Sequence, residues 1–385
     1  MEKHNDILHK IAYNIDASHL ESNEETEVFL PKNEEEIHKI LEIAIEKNKK
    51  IILRWAGTNL VGNCLPDKDC FIIDMSGLNK IIAHNKDTIT VQPWVVLDNL
   101  NNHLQEHWKC FPVNIWSHLV AQIWAMIATN AAGMKAIKYG KMEDRVNFLE
   151  VMYVDKNKQI RTEKLQWQDV KDFVNSEWIL WVIIKAELKI IDKPYQKSIS
   201  FLPFDSLQEL IEKVEEYKEQ EQTAAIEYID KIVAWFLSLE KKYHLFVEFE
   251  DDNMWDINDH EKIKDVWSIR DSCYSVIVSN GYDWIEDPQI DLKNAEEILL
   301  WFEKNEIPVF GHIWTGILHP HFKKDQEQLI KQMYQKVENM KWNVSGEHWI
   351  WLKKKEFISN EERKKIEKLK EKYDPNKIFG WQNIL

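Results

Sequence analysis

Two short stretches in the last quarter of the chain carry side chains able to hold a divalent metal ion. GHIWTGILHPHF (residues 311–322) places His312 and His319 seven apart with His321 close by, and NVSGEHWIW (343–351) supplies Glu347 and His348. Imidazoles are borderline nitrogen ligands and a carboxylate lowers the net charge of the site, a standard set for a divalent cation. On a chain with 14 histidines, a seven-residue spacing is a weak signal by itself, and two loops with ordinary histidines would look the same. Arg270, in DVWSIRDSCY, offers a planar fork suited to a carboxylate, or else pairs with Asp265 or Asp271 on its own helix.

The first half of the chain holds four small-residue loops interrupted by tryptophan: LRWAGTNLVGN (53–63), VQPWVVLDNL (91–100), NIWSHLVAQIWAMIATNAAGMKAIKYGKMED (114–144) and NSEWILWVIIKAEL (175–188). Loops of small residues let the backbone approach a phosphate or a helix closely. Any one of them alone reads equally well as a turn with an aromatic plug.

These stretches need elements to position them. Asn33 and Glu36 have capping-box spacing ahead of Ile37, Ile40, Leu41, Ala44 and Ile45, which predicts an amphipathic helix over 34–47. Strands are expected at 50–54, 71–75, 89–92, 148–155 and 182–190, with a helix at 97–104 between them. Beyond Lys193-Pro194 the periodicity predicts a helix around 207–217, a strand at 244–250, helices at 291–305 and 325–340 flanking the strand IPVFGHI, and a charged final helix stopped at Asp374-Pro375. The pattern is α+β throughout. It divides into a first domain (1–193), a second α+β unit expected to cap it (194–340) and a C-terminal segment (341–385).

Bulk properties bound the function. A chain of 385 residues with 44% hydrophobic residues can build two domains with sizeable cores. The net charge of −15 gives no footprint for nucleic acid, hardly a better one for an anionic membrane, and requires a local basic clamp for any small anionic substrate. Cys64, Cys70, Cys110 and Cys273 show no metal or iron–sulfur spacing, which points to a reducing compartment. The N-terminal MEKHNDILHKIAYNID lacks the apolar stretch of a signal peptide, and no segment reaches the roughly 18 apolar residues of a membrane span. The cytoplasm is the expected location.

Taken together and in order, the loops resemble the FAD-linked oxidase family of the vanillyl-alcohol-oxidase fold, in its D-lactate dehydrogenase, glycolate oxidase and D-2-hydroxyglutarate dehydrogenase branch. The family strings are RGAGTxLxG, VQPGV, TIGGMIATNAxG followed by KYG, and SEGxLGVI. Arg54, Ala56, Gly57, Thr58, Leu60 and Gly62 match the first, and Met126 to Ala131, Gly133, Tyr139 and Gly140 match the third. The resemblance implies a PCMH-type FAD-binding domain with a ferredoxin-like α+β cap, and a C-terminal segment that returns to the first domain. It further implies FAD contacts from Arg54, Ala56, Gly57, Thr58, Asn59, Leu60, Gly62, Pro93, Ser117, Thr129, Asn130, Gly133, Tyr139, Gly140, Glu177 and Ile183. Thr58 lies where covalent members of the fold carry a flavin-linking histidine, so non-covalent FAD is expected.

In the same branch the C-terminal strings are HxGDGNLH and SGEHGxG. They imply that His312, His319 and Glu347 bind a divalent metal such as zinc, manganese or iron, that His348 is the catalytic base, and that Arg270 lies near the substrate. Thr315 and Ile317 replace the family's Asp and Asn. The activity implied is oxidation of a small D-2-hydroxy acid by hydride transfer to flavin. A separate acceptor is then needed: a quinone, a cytochrome, an electron-transfer flavoprotein or an iron–sulfur subunit, with peripheral membrane association left open. Alditol oxidation on the same fold would need no carboxylate clamp, and the retained histidine motifs argue against it.

The departures are of one kind. Trp55, Trp94, Trp124, Trp178, Trp181, Trp342, Trp349 and Trp351, with Trp116 added, stand at family glycine positions. The chain has 18 Trp and only 10 Gly, and the two together approach the glycine content of about 7% that is ordinary. Indoles in phosphate-approach loops are expected to overpack them. Three explanations are open: a flavin-less relative acting as a binding or scaffold protein, a tryptophan-rich carbohydrate-binding surface, or UGA codons read as glycine by the organism. The dominance of one replacement type favours the third, and the codons decide it.

Overall fold

The computed structural model describes residues 2–4, 11–54, 56–166, 168–176, 179–251, 257–347, 351–357 and 360–380. Strands β1 (Glu2–His4), β2 (Glu27–Leu30), β3 (Lys50–Arg54) and β4 (Cys70–Asp74) form a four-stranded sheet in the order β1-β2-β4-β3, with β4 parallel to both β2 and β3. A parallel neighbour requires a crossover, supplied between β2 and β3 by the helix Glu34–Glu46. Its start is fixed by Asn33, whose side chain accepts from Glu36 N (3.0 Å), while Glu36 accepts in turn from Lys32 N at 2.9 Å. Ile37, Ile40, Leu41 and Ala44 form its buried face.

The chain continues through β5 (Ile81–His84), β6 (Thr88–Val91), the short β7 (Lys109–Cys110), β8 (Val146–Val154), β9 (Ile160–Gln166), β10 (Val182–Lys189) and the short β11 (Ile191–Asp192). Five of these make an antiparallel sheet in the order β5-β6-β10-β8-β9, and β7 pairs with β11. One apolar core joins both sheets, drawing on residues from Phe29 to Ile190 and again on Ile366, Tyr373, Ile378 and Phe379. The return is a backbone connection as well: Ile51 N donates to Ile378 O (2.7 Å) and Gly380 N to Ile51 O (3.0 Å).

A separate six-stranded sheet is built from β12 (Lys197–Phe204), β13 (Thr223–Ile229), β14 (Tyr243–Glu250), β15 (Trp284–Ile285), β16 (Val309–His312) and β17 (Ile317–Phe322). Its order is β12-β14-β13-β16-β17-β15, every neighbouring pair antiparallel. Helices Leu207–Lys218, Leu292–Lys304 and Glu327–Asn339 supply a core with Ile226, Tyr228, Leu245, Val247 and Phe249. Because side chains alternate along a strand, the intervening residues face the other way, where Ile229, Phe246 and Phe310 meet a smaller core from the helices Lys231–Phe236, His260–Asp271 and Cys273–Ser279.

The predicted elements are present with ends moved by at most two residues. The described tryptophans at family glycine positions are accommodated in different ways. Trp124 is buried within the helix Ile123–Ala128. Trp181 is buried too, stacked on Tyr153 with ring centroids 3.9 Å apart, and its indole N–H donates to Tyr373 O. Trp94 and Trp342 are half-buried against the two main cores, and Trp116 is half-exposed. Both rings are part of the core of the first half of the chain. Trp55, Trp178 and Trp349 lie outside the described residues.

Candidate active site

The polar face of the six-stranded sheet collects the chemistry. In the β16–β17 hairpin His312 pairs with Ile317 and Phe310 with His319, so His312 and His319 are diagonal neighbours on one face. The seven-residue spacing is therefore that of a hairpin. Its turn demands a left-handed residue, and Gly316 provides it (φ +73°); a Cβ there would lie 1.5 Å from Ile290 O. The two imidazole rings sit with centroids 5.5 Å apart, nearly perpendicular.

Glu347 closes the group. Its carboxylate oxygens lie 3.6 Å from His312 Nε2 and 3.9 Å from His319 Nε2. Glu347 Oε1 is buried with no hydrogen-bond partner among the described residues. One nitrogen from each histidine and a Glu347 oxygen lie within 4.8 Å of one another. That arrangement fits a divalent cation: two imidazoles, one carboxylate and a buried oxygen that lacks a donor.

His312 and Glu347 are each held by a carboxylate behind them. His312 Nδ1 hydrogen-bonds the carboxylate of Glu227, on neighbouring β13, which leaves Nε2 facing Glu347 and His319. The second oxygen of Glu227 accepts from Arg270 Nε (2.7 Å) and Nη2 (2.6 Å). Burial works against the charged form of His312, but the charges of Glu227 and Glu347 and the Glu227 hydrogen bond outweigh it, and its pKa is raised. Burial likewise opposes the Arg270 charge, and Glu227 more than compensates, so the guanidinium pKa is raised. On the other side, Asp287 accepts from Ser345 Oγ, Gly346 N (2.9 Å) and Glu347 N, and its charge is balanced by the buried Lys354. The SGE segment is thus fixed by a buried anion beneath it.

The loops of the first half reach this face. The helix Ala136–Tyr139 packs on β13, Lys135 Nζ contacts Glu248 and Glu250 on β14, and Tyr139 Oη donates to Glu250. Trp116 Nε1 donates to Asp271 O (3.4 Å), beside Arg270, and its ring lies 5.2 Å from that of Tyr274. Leu352 N donates to Val61 O (3.2 Å), bringing the chain just beyond Glu347 onto the first loop. A cleft at the junction of two sheets is a common place for a cofactor and substrate to meet.

The predicted FAD contacts fall into several groups. Arg54 is buried, and its guanidinium donates to carbonyls of Ala12, Tyr13, Ile15 and Cys64, so it clamps the N-terminal segment. Ala56 and Thr58 are exposed on the turn, Gly57 between them is buried, and Leu60 is half-buried. Asn59 Oδ1 accepts from the amides of Val61, Gly62 and Asn63 at 3.2, 2.8 and 3.1 Å; amides converging on one oxygen are how a loop receives an oxyanion. Pro93 O accepts from Trp124 N, and Ser117 O from Val120 N and Ala121 N, while Thr129 Oγ1 donates to Ala125 O. Asn130 and Glu143 exchange two hydrogen bonds.

Gly133 (φ +68°) crosses Asn114 so tightly that a Cβ would meet Asn114 O at 2.3 Å, which ties the third loop to itself. Gly140 ends the helix carrying Tyr139, and Ile183 is buried in β10. Glu177 and His348 lie outside the described residues.

Sequence reasoning missed Glu227, Glu248, Glu250, Asp287 and Lys354. Glu227 had a signal: a lone carboxylate in the strand TAAIEYI, every residue of which is buried, requires a charged partner. Asp287 had none, since its role depends on a chain segment 58 to 60 residues away.

Comparison with known proteins agrees with this construction. The FAD binding domain model matches residues 26–163, and the model of the C-terminal domain of FAD linked oxidases matches residues 254–381. Similar proteins include the mitochondrial D-2-hydroxyglutarate dehydrogenase of Danio rerio, 24% identical over 85% of this chain and 72% of that one. A D-lactate dehydrogenase of Archaeoglobus fulgidus is 23% identical (92% of this chain, 90% of that one), and a glycolate oxidase subunit of Bacillus subtilis 24% identical (96% and 91%). Among solved structures, an alkyldihydroxyacetonephosphate synthase superposes with a TM-score of 0.71 at 17% identity, covering 99% of this chain and 83% of that one, a likeness of fold. With both domain types present in order and its chemistry on the face between them, the chain is a member of the FAD-linked oxidase family.

Proposed function

We propose that the protein is an FAD-dependent dehydrogenase that oxidises a small D-2-hydroxy acid to the 2-oxo acid, with a divalent metal held by His312, His319 and Glu347. The observation that carries this reading is the set of side chains on one sheet face: two imidazoles and a carboxylate around a buried oxygen without a donor, backed by Glu227, with Arg270 beside them. A metal bound there supplies a Lewis acid for an alcohol oxygen and a positive charge for a carboxylate. FAD, which the turns at 56–63 and 129–140 with Pro93 and Ser117 would hold, would supply the acceptor for the hydride, which carries both electrons.

The chain's own residues do the rest. Glu227 fixes His312 with Nδ1 toward its carboxylate, so that Nε2 presents a lone pair toward Glu347 and His319. Arg270 adds a buried cation to an acidic protein, the local clamp that an anionic substrate requires. Asp287 positions the backbone of Glu347; to His348, next in the sequence, the family motif assigns removal of the hydroxyl proton. Electrons leave to a separate acceptor of the quinone, cytochrome, flavoprotein or iron–sulfur kind.

In this reading the tryptophans at family glycine positions are UGA codons read as glycine. Trp108 supports it: exposed, it follows the helix Leu97–Gln105 and adopts φ +57°, the left-handed conformation glycine takes freely after a helix end. Peptide masses across residues 120–135 and 178–190 of the natural protein distinguish Gly from Trp directly. UGG codons there would transfer support to the flavin-less relative.

The activity test is a screen of D-lactate, glycolate and D-2-hydroxyglutarate with an artificial dye acceptor, with and without chelator. Dye reduction by at least one acid, lost on chelation and restored by zinc or manganese, is expected. No reduction by any 2-hydroxy acid in a flavin-loaded sample overturns the proposal.

A further inference from the structure

Outside the site just described, His84, His103 and His107 converge on the surface of the FAD-binding half. His84 ends β5, the edge strand of the five-stranded sheet; His103 lies in the helix Leu97–Gln105, and His107 follows one turn later. His84 Nδ1 is 3.2 Å from His103 Nε2, and one nitrogen from each of the three rings lies within 4.8 Å of the others. The ring centroids are 4.7 to 5.2 Å apart.

Two nitrogens bound to one tetrahedral zinc at about 2.0–2.1 Å stand about 3.3 Å apart, close to the separation seen. His107 Nδ1 hydrogen-bonds the carbonyl of His103 (3.2 Å). With Nδ1 as the donor, Nε2 is left as a lone-pair acceptor, the backbone orientation typical of a histidine ligand. The nearest cation, Lys109, is turned to Asp192 (2.7 Å) and Asp87 (3.4 Å). His84 and His103 are half-buried and His107 is exposed, so one side of the cluster faces solvent.

We propose that His84, His103 and His107 form a second divalent-metal site, a three-imidazole site for zinc or a similar borderline cation with its fourth position open to water. Three nitrogen donors without a carboxylate select zinc, copper, nickel or cobalt over magnesium and calcium, which prefer oxygen. The edge strand and the helix bring the rings together from opposite sides, so the pair His103 and His107 is completed by a residue about twenty positions away. The site is independent of the catalytic reading and survives its failure.

The test is zinc binding to the full chain near neutral pH, by equilibrium dialysis with metal analysis, comparing wild type with His107→Ala and His84→Gln. Wild type is expected to bind one equivalent more than either variant, or to hold that equivalent at least about 10- to 100-fold more tightly. Dye-linked activity should be unchanged in His107→Ala. Cobalt substitution gives a second reading: visible bands of a four-coordinate ion that weaken in both variants. Equal stoichiometry and affinity in all three proteins, with unaltered cobalt spectra, would overturn the proposal and leave His84 and His103 as a hydrogen-bonded pair.

Discussion

Replacing Glu227 by Gln tests whether one buried carboxylate organises both the metal ligand and the arginine. Glu227 is fully buried, with one oxygen on His312 Nδ1 and the other on Arg270 Nε and Nη2. Gln keeps the shape and changes one oxygen to a donor. If the amide nitrogen faces Arg270, donors oppose donors and a buried guanidinium is left without an anion. If it faces His312, Nδ1 must accept, the proton moves to Nε2, and the ring can no longer present a lone pair to a metal.

Breaking one partner of a buried ion pair costs about 3–5 kcal/mol of stability. Losing the group that orients a ligand costs about 10- to 100-fold in metal affinity. Glu227→Gln should therefore lower the denaturant midpoint clearly and weaken zinc or manganese at His312, His319 and Glu347 by that factor. The titration is made in a His107→Ala background so that the surface histidines do not compete. A Gln variant with wild-type stability and wild-type metal affinity refutes the reasoning.

Asp287→Asn removes the anion beneath residues 345–347 and leaves Lys354 with Glu286 as its acid partner, so turnover should fall about 10- to 100-fold with FAD content unchanged; full turnover would contradict this. Burial would raise the Glu248 pKa, but the charges of Lys135 and Lys197 and the hydrogen bonds from Lys135 and Trp267 pull it down from 4.5 to about 2. A depressed carboxylate pKa stabilises the fold fully above the unfolded value and loses that contribution as pH falls from 4.5 towards 2. The denaturant midpoint should drop across this window, and drop less in Lys135→Met; equal profiles would exclude the assignment. Trp108→Gly should raise the thermal midpoint, since the left-handed conformation costs an L-residue about 1–2 kcal/mol and glycine's extra chain entropy returns about half of that. A lower midpoint would show that the exposed indole does packing work.

The legible parts of the fold were those with local causes. Asn33, Glu36 and the apolar period that follows fix the helix Glu34–Glu46 without help from the rest of the chain. Strand β13 was not foreseen, because TAAIEYI has no alternation: every residue in it is buried, on one face by the larger core and on the other by the smaller core and the ion pairs of Glu227. The helix carrying Arg270 was expected without bounds, and its burial of Arg270 was not legible, since Arg270 belongs to the buried side of His260–Asp271 by virtue of Glu227. At the site, His312, His319 and Glu347 could be read from motifs, whereas Glu227 and Asp287 act through contacts 85 and 60 residues away. Arg54 shows the reverse case, a motif residue whose donors go to the carbonyls of an N-terminal segment that no motif includes.

A 2-hydroxy acid is proposed to deliver its electrons to a flavin held against the face that carries His312, His319 and Glu347. The direct measurement is anaerobic mixing of the purified protein, from a host that decodes its gene correctly, with D-lactate, glycolate or D-2-hydroxyglutarate while the flavin absorbance is followed. Bleaching of a yellow protein by one of these acids, abolished in His348→Ala with the flavin still bound, is the predicted result. A protein that emerges colourless and takes up no FAD, or a His348→Ala variant that bleaches as fast as wild type, would contradict it.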